Sequence, residues 1–257
     1  MKSNLLHREA ADEQEARLNK QIEAYWDERS GDFSRLRLKE LSGPCGAAWS
    51  KLLAEKLPAE ALRVLDVGTG AGFLAIILAR LGHRVTGVDM SGEMLHQAKQ
   101  NALAAGCSVE FRKENAQSLS FAGESFDAVV TRNLTWTLPD VMEAYREWQR
   151  VLKPGGLLLN FDSDYGRVSF GQKDDPIDVH AGIRRELVTE CNDIKDELRI
   201  STHRRPGWDA EFLRGLGMEV ELEEDIGSMV HIDESMQFDQ VPLFCLAARK
   251  QELSPET

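Results

Sequence analysis

Three glycines in five residues, Gly68, Gly70 and Gly72, sit inside the run VLDVGTGAGFLA at 64–75. RVLDV at 63–67 reads as a buried strand, and GFLAIILARLG at 72–82 reads as an apolar helix that stops at a glycine. Glycines allow the tight turn between the two and let a ligand approach the backbone closely. The helix N-terminus offers free N–H groups and a favourable field to an anionic group. The next strand, RVTGVD at 84–89, ends in Asp89, 23 residues after Asp66. A carboxylate there can accept hydrogen bonds from both hydroxyls of a ribose. A glycine triplet alone implies only a tight turn. The ordered set of strand, glycines, helix, strand and acid implies a nucleoside-bearing ligand, with NAD as one that would suit it. No P-loop signature is present, which argues against a P-loop nucleotidase.

The alternation continues. SGEMLHQAKQNALAAG at 91–106 reads as a Ser-capped helix, SVEFRKE at 108–114 as a strand and SFDAVVTR at 125–132 as another. PDVMEAYREWQRVLKPGG at 139–156 reads as a helix ending in a turn, before a fifth strand, LLLNFD, at 157–162. Strands and helices in this order predict an α/β fold with a parallel sheet covered on both faces. Upstream, helices are expected at 9–29, 34–42 and 47–57, with SGPCG at 42–46 as a turn. Downstream, 163–207 is poor in apolar runs and reads as an insertion with a helix near 181–194. A helix at 208–217 and strands at 218–226 and 241–250 complete the chain, with a short polar tail from Gln251. Four segments follow: a helical lid region at 1–58, a ligand-binding core at 59–162, an acceptor-side insertion at 163–207 and a completion of the core at 208–257.

Composition narrows the function. With 257 residues, 42% of them hydrophobic, the chain can bury a real core. A formal net charge of -12 makes nucleic acid a poor default partner. No apolar run reaches membrane-spanning length, and the N-terminal residues have no signal-peptide core. Cys45, Cys107, Cys191 and Cys245 form neither a CxxC pair nor a cluster with histidine. They read as reduced thiols of a cytoplasmic protein, and no metal site is expected.

The run LDVGTGAGFLA resembles the first motif of class I methyltransferases that use S-adenosylmethionine (SAM), with Asp66 as the acidic residue two positions before the glycines. ENAQSLSFAGESFDAVV at 114–130 resembles the family's adenine-reading segment, with Asn115 in place of the usual Asp, and VLKPGG at 151–156 matches the turn before the fifth strand. Two flanks, YWDERSGDFS at 25–34 and HRRPGWDAEFLRGLG at 203–217, are similar to a bacterial branch of the type 11 methyltransferases. The resemblance implies SAM as cofactor and a Rossmann-like, seven-stranded mixed sheet of order 3-2-1-4-5-7-6. It assigns Asp66, Gly68 and Gly70 to the methionine part and sugar of SAM, Asp89 to the ribose, Met90 to packing on adenine, and Asn115 and Ala116 to the adenine edge.

In such sheets the acceptor lies beyond the C-terminal strand ends. This makes Arg132, Asn133 and Trp136, after the fourth strand, candidate walls between SAM and acceptor. Tyr25 and Arg29, four apart on one helical face, are candidates to reach the cofactor or an acceptor carboxylate. Asp162, Tyr165 and His203 are candidates to orient or deprotonate the acceptor, and Arg204 and Arg205 to bind an acceptor acid. His180 and His231 are weaker candidates for a base. The expected activity is methyl transfer to N, O or S of a small molecule by a monomer or homodimer. A silent SAM-binding regulatory module, or methylation of a protein or RNA, is the alternative.

Overall fold

The computed structural model describes residues 2–252, with side chains from Glu13 onward. The polar tail expected from Gln251 lies outside the described residues after Glu252.

Seven strands form one sheet: β1 (Arg63–Val67), β2 (Arg84–Asp89), β3 (Glu110–Lys113), β4 (Phe126–Arg132), β5 (Leu152–Ser163), β6 (Met218–Glu223) and β7 (Leu243–Lys250). Their order is β3-β2-β1-β4-β5-β7-β6. The first five run parallel, and β7 is antiparallel to both β5 and β6. The implied topology is therefore the observed one. Helices cover both faces, which is why β1 is buried on both sides from Val64 to Val67. One core layer gathers Leu65, Val129, Tyr145, Trp148 and Leu158, and the other gathers Trp49, Leu53, Leu74, Ile77 and Phe161.

Helices α1 (Lys2–Ser42), α2 (Pro44–Lys56), α3 (Phe73–Arg80), α4 (Gly92–Ala104), α5 (Val141–Val151), α6 (Arg185–Glu197), α7 (Gly207–Gly215) and α8 (Gly227–Val230) surround the sheet. In α5 the buried side chains Val141, Ala144, Tyr145, Trp148 and Val151 follow helical spacing, so one stripe faces the sheet. Ser91 caps α4 by accepting from the Met94 N–H at 3.0 Å, as expected.

Among the boundaries that differ from the sequence reading, three have a clear physical reason. The expected break after residue 29 is absent: α1 runs through Gly31 without interruption. Glycine inside a helix costs about 1 kcal/mol, but Leu18, Ile22 and Tyr25 before it and Ser34, Arg37 and Glu40 after it are all buried on the core. The expected turn at 42–46 shrinks to Gly43, and Pro44 sits in the first turn of α2, where its missing N–H costs nothing. The helix expected to reach 156 ends at Val151, and Leu152–Gly156 belong to β5, where Lys153–Gly156 form an irregularity opposite Asp127.

Candidate active site

The glycine loop folds as its spacing requires. Gly68, Gly70 and Gly72 have φ values of 65, 52 and 87°, the left-handed region glycine enters without strain. A Cβ on Gly68 would come within 2.7 Å of the Leu134 side chain, so a larger residue would also collide there. The loop leads into α3, and beside it opens a cavity of about 90 Å³. Its lining includes Asp66, Gly68, Gly70, Asp89, Met90, Asn115, Ala116 and Asn133, and thus unites the residues that the motifs pick out.

Two carboxylates, the buried Asp66 and the half-buried Asp89, face this cavity. Asp89 accepts from the Gly70 N–H and the Ser91 N–H, each at 2.9 Å, so the loop and α4 hold it by both oxygens. Burial raises its pKa to about 6, against the opposing effect of those N–H groups. Asp66 accepts from the Thr69 hydroxyl at 2.6 Å, and burial raises it to about 7. Asn115 spends one lone pair on the Gln117 N–H at 2.9 Å and keeps its second for a ligand.

The same cavity wall carries a cluster of which the sequence reading named only Arg132. Glu40, fully buried, pairs with both Arg37 and Arg132. Burial pushes the carboxyl up, but the two guanidinium groups outweigh it and hold it at about 2. Arg132 also lies over the rings of Trp49 and Phe73, at 4.4 and 4.8 Å. Two cations on one anion leave a net positive charge at the cavity wall. The Nε atoms of both arginines and the Oδ1 of Asn133 are buried without a partner among the described residues. Asn133 itself holds a φ of 52°, which asparagine tolerates better than most residues.

A second cavity, about 160 Å³, shares Trp26, Phe33, Arg37 and Asn133 with the first. Helix α1 supplies Tyr25, Trp26, Arg29, Phe33, Leu36 and Arg37. The spacing of Tyr25, Arg29, Phe33 and Arg37, each four residues after the last, puts them along one side of the helix. Trp136, Tyr165 and Phe170 form the facing aromatic wall, with ring centroids 5.1 to 5.7 Å apart. His180 and Asp239 also line it, with Nε2 and Oδ2 2.9 Å apart. Burial raises the Tyr25 and Tyr165 hydroxyls well above the ordinary phenol range, so both stay protonated near neutral pH.

Other expected residues sit elsewhere. Asp162 is fully buried behind the wall rather than in it. It accepts from the Thr135 hydroxyl and from the N–H groups of Trp136 and Ser163, with Arg205 Nη1 at 3.5 Å. Burial, ahead of the opposing Arg205, raises its pKa. Arg205 is buried too, paired with Asp209, and reaches neither cavity. Arg204 points to solvent. His203 stacks on Trp208 at 4.2 Å between ring centroids and also lines neither cavity. Among the described histidines, His180 is the one the fold brings to the second cavity. His231 stacks on Phe238 and is pushed down to about 4 by burial and by Arg132. Among the described residues, no group of three or more His, Cys, Asp or Glu is placed to hold a metal ion, and no helix is long and apolar enough to cross a membrane.

This sheet order, with a glycine loop and a strand-end acid around one cavity, is the Rossmann-like arrangement that the sequence resemblance implies. Residues 65–160 match the family described as "Methyltransferase domain". A ubiquinone biosynthesis O-methyltransferase of Cereibacter sphaeroides (strain ATCC 17029 / ATH 2.4.9) is 33% identical over 142 residues, which is 53% of this chain and 58% of that protein. The chain thus spans a little over half the length of this curated relative. A solved SAM-dependent methyltransferase from Mesorhizobium loti aligns with a TM-score of 0.56 at 24% identity, over 81% of this chain and all of that one. The cyclase SpnF aligns with a TM-score of 0.53 at 22% identity, over 79% of this chain and 80% of that one. One fold hosts both names, so activity has to be argued from the cavities.

Proposed function

We propose that this chain is an enzyme that moves the methyl group of SAM to a small molecule in the second cavity. One observation carries the reading: a nucleoside-type cavity and an aromatic-walled cavity meet at Trp26, Phe33, Arg37 and Asn133. Bound SAM would supply a methyl group already activated by sulfonium charge. The residues present fit it. Asp89 is placed for the ribose hydroxyls, Met90, Asn115 and Ala116 for adenine, and Asp66, Gly68 and Gly70 for the methionine part and sugar. The net positive cluster of Arg37, Arg132 and Glu40 suits the methionine carboxylate.

The protein's own share of the work is placement and exclusion of water. Asn133, at the junction, orients donor and acceptor in line. Tyr25, Trp136 and Tyr165 wall the acceptor, with Asp162 as a positioning group that fixes Thr135 and the Trp136 backbone from behind. Helix α1 and the 163–207 segment act as a lid, held to each other by Arg184–Glu28 and Arg17–Glu197 ion pairs. Oxygen is the acceptor atom this reading favours. The curated relative is named an O-methyltransferase, and His180, bonded to Asp239, can take the proton that a hydroxyl must lose. The enclosed second cavity favours a small molecule over a protein or RNA. The four unpaired cysteines suit a cytoplasmic setting.

Calorimetry with SAM and S-adenosylhomocysteine, followed by release of S-adenosylhomocysteine on incubation with hydroxyl, amine and thiol acceptors, tests the reading. Binding with turnover is expected. Absence of binding to both ligands overturns it, and binding without turnover on any acceptor points to a regulatory module.

A further inference from the structure

Arg29 is the cation in the second cavity that lacks a buried counterion. Its side chain is 6% exposed, and its nearest carboxylate, Asp32, lies 3.9 Å away with half of its own surface in solvent. Nε and Nη1 are buried with no hydrogen-bond partner among the described residues. The other charges on this wall are matched: Arg37 by Glu40, Lys173 by Asp178 at 3.7 Å, and His180 by Asp239. A guanidinium held largely out of water, with only a distant and half-exposed counterion, is costly, and an incoming anion lowers that cost.

Arg29 does not line the glycine-loop cavity, whose cations are Arg37 and Arg132. The methionine carboxylate of SAM is therefore not its partner. Around it the cavity is aromatic, with Tyr25, Trp26, Trp136, Tyr165 and Phe170. A volume of about 160 Å³ is of the size at which an apolar cavity takes a benzene-sized body. Arg29 also lines an outer groove of about 310 Å³ with Arg35 and Lys39, facing Asp32 and Asp178. On a chain with a net charge of -12, cations still outnumber carboxylates along this groove.

We infer that the acceptor is an aromatic-sized molecule bearing a carboxylate or equivalent anion, bound by Arg29 as its anion partner. The inference rests on the methyltransferase reading and names its substrate class. The test uses the full chain saturated with S-adenosylhomocysteine and two matched pairs of probes: benzoate with benzamide, and phenylacetate with phenylacetamide. At least one carboxylate should bind about tenfold or more tightly than its neutral amide. Arg29→Gln should erase that preference and leave the amide and S-adenosylhomocysteine affinities within about twofold of the wild type, while Arg29→Lys should keep part of it. Equal binding within both pairs, no binding of any probe, or a carboxylate preference that survives in Arg29→Gln overturns the inference. The wild-type comparison decides it even if the variants do not fold. A protein that binds S-adenosylhomocysteine but shows no carboxylate preference loses this inference alone, whereas one that does not bind S-adenosylhomocysteine loses the methyltransferase reading as well.

Discussion

The guanidinium of Arg205 grips both carboxylate oxygens of Asp209, one turn further along, through Nε to Oδ2 at 2.9 Å and Nη2 to Oδ1 at 2.8 Å. Asp209 also accepts from Tyr145 at 2.6 Å, and Tyr145 in turn accepts from the Asn160 amide at 2.9 Å. Asp162 lies on the far side of Arg205. One cation thus neutralises two buried acids from β5 and α7 and ties the end of the 163–207 segment to the sheet. Arg205→Met should leave both carboxylates buried without their counterion, costing about 3–5 kcal/mol in urea unfolding. A loss below about 1 kcal/mol would show that the network is not what secures this end.

The pKa values of Asp66 and Asp89 set a pH dependence with opposite signs for folding and binding. Burial raises both in the folded chain, to about 7 and about 6. An unfolded Asp titrates near about 3.9. Between these values the folded state holds more protons, so the two groups contribute stability that declines as pH rises from about 4 to 7. On the proposed reading, ribose binding needs Asp89 ionised. Affinity for S-adenosylhomocysteine should therefore fall by up to about tenfold per pH unit below about pH 6. Calorimetry across this range, on protein shown to be folded at each pH, checks it, and a flat profile would remove Asp89 from the ribose.

Asp89→Ala should weaken S-adenosylhomocysteine binding by about 1.5–3 kcal/mol, because a charged acceptor of two hydroxyl bonds is lost. The melting temperature should not fall, since the variant also removes a carboxylate that burial disfavours. Unchanged affinity with an intact fold would place the ribose elsewhere.

Activity should survive dialysis against a chelator. A sulfonium activates its own methyl group, and no cluster of metal-ligating side chains forms among the described residues. Loss of turnover restored by one divalent ion would contradict this.

The sheet and its cofactor-side cavity were legible because both are local. Strand periodicity, the positive-φ glycines and the acid ending β2 are each written in a few adjacent residues, and they assemble as read. The acceptor side depends on long-range placement. Gly31 suggested a break in α1 that packing on both sides overrides. Glu40 and Arg37 went unnamed in the sequence reading, although the four-residue spacing of Tyr25, Arg29, Phe33 and Arg37 was a signal that this side faces a ligand. Arg205 looked like a substrate anchor, but it grips Asp209, four residues along in its own segment, and meets Asp162, 43 positions away, which no local pattern reveals. His203 was favoured over His180 on the same local grounds. The fold turns His203 onto Trp208 and brings His180 to Asp239, 59 residues away.

Asn133 is where backbone and side-chain roles can be separated. It follows the last residue of β4, its N–H donates to the Phe161 carbonyl at 2.8 Å, and its φ of 52° aims the strand end between the two cavities. Its buried Oδ1 has no partner among the described residues, so it is free to accept from a bound ligand. Asn133→Ala should lose both features: about 1 kcal/mol of stability from the left-handed backbone, and the amide at the junction. Asn133→Gly restores the backbone without the amide. If the side chain orients donor against acceptor, the glycine variant should melt near the wild-type temperature and still turn over at least about tenfold more slowly. Its loss should appear in kcat with the favoured acceptor more than in S-adenosylhomocysteine affinity. A glycine variant with wild-type turnover would mean that the residue serves only to bend the chain, and that alignment at the junction falls to Trp26, Phe33 and Arg37.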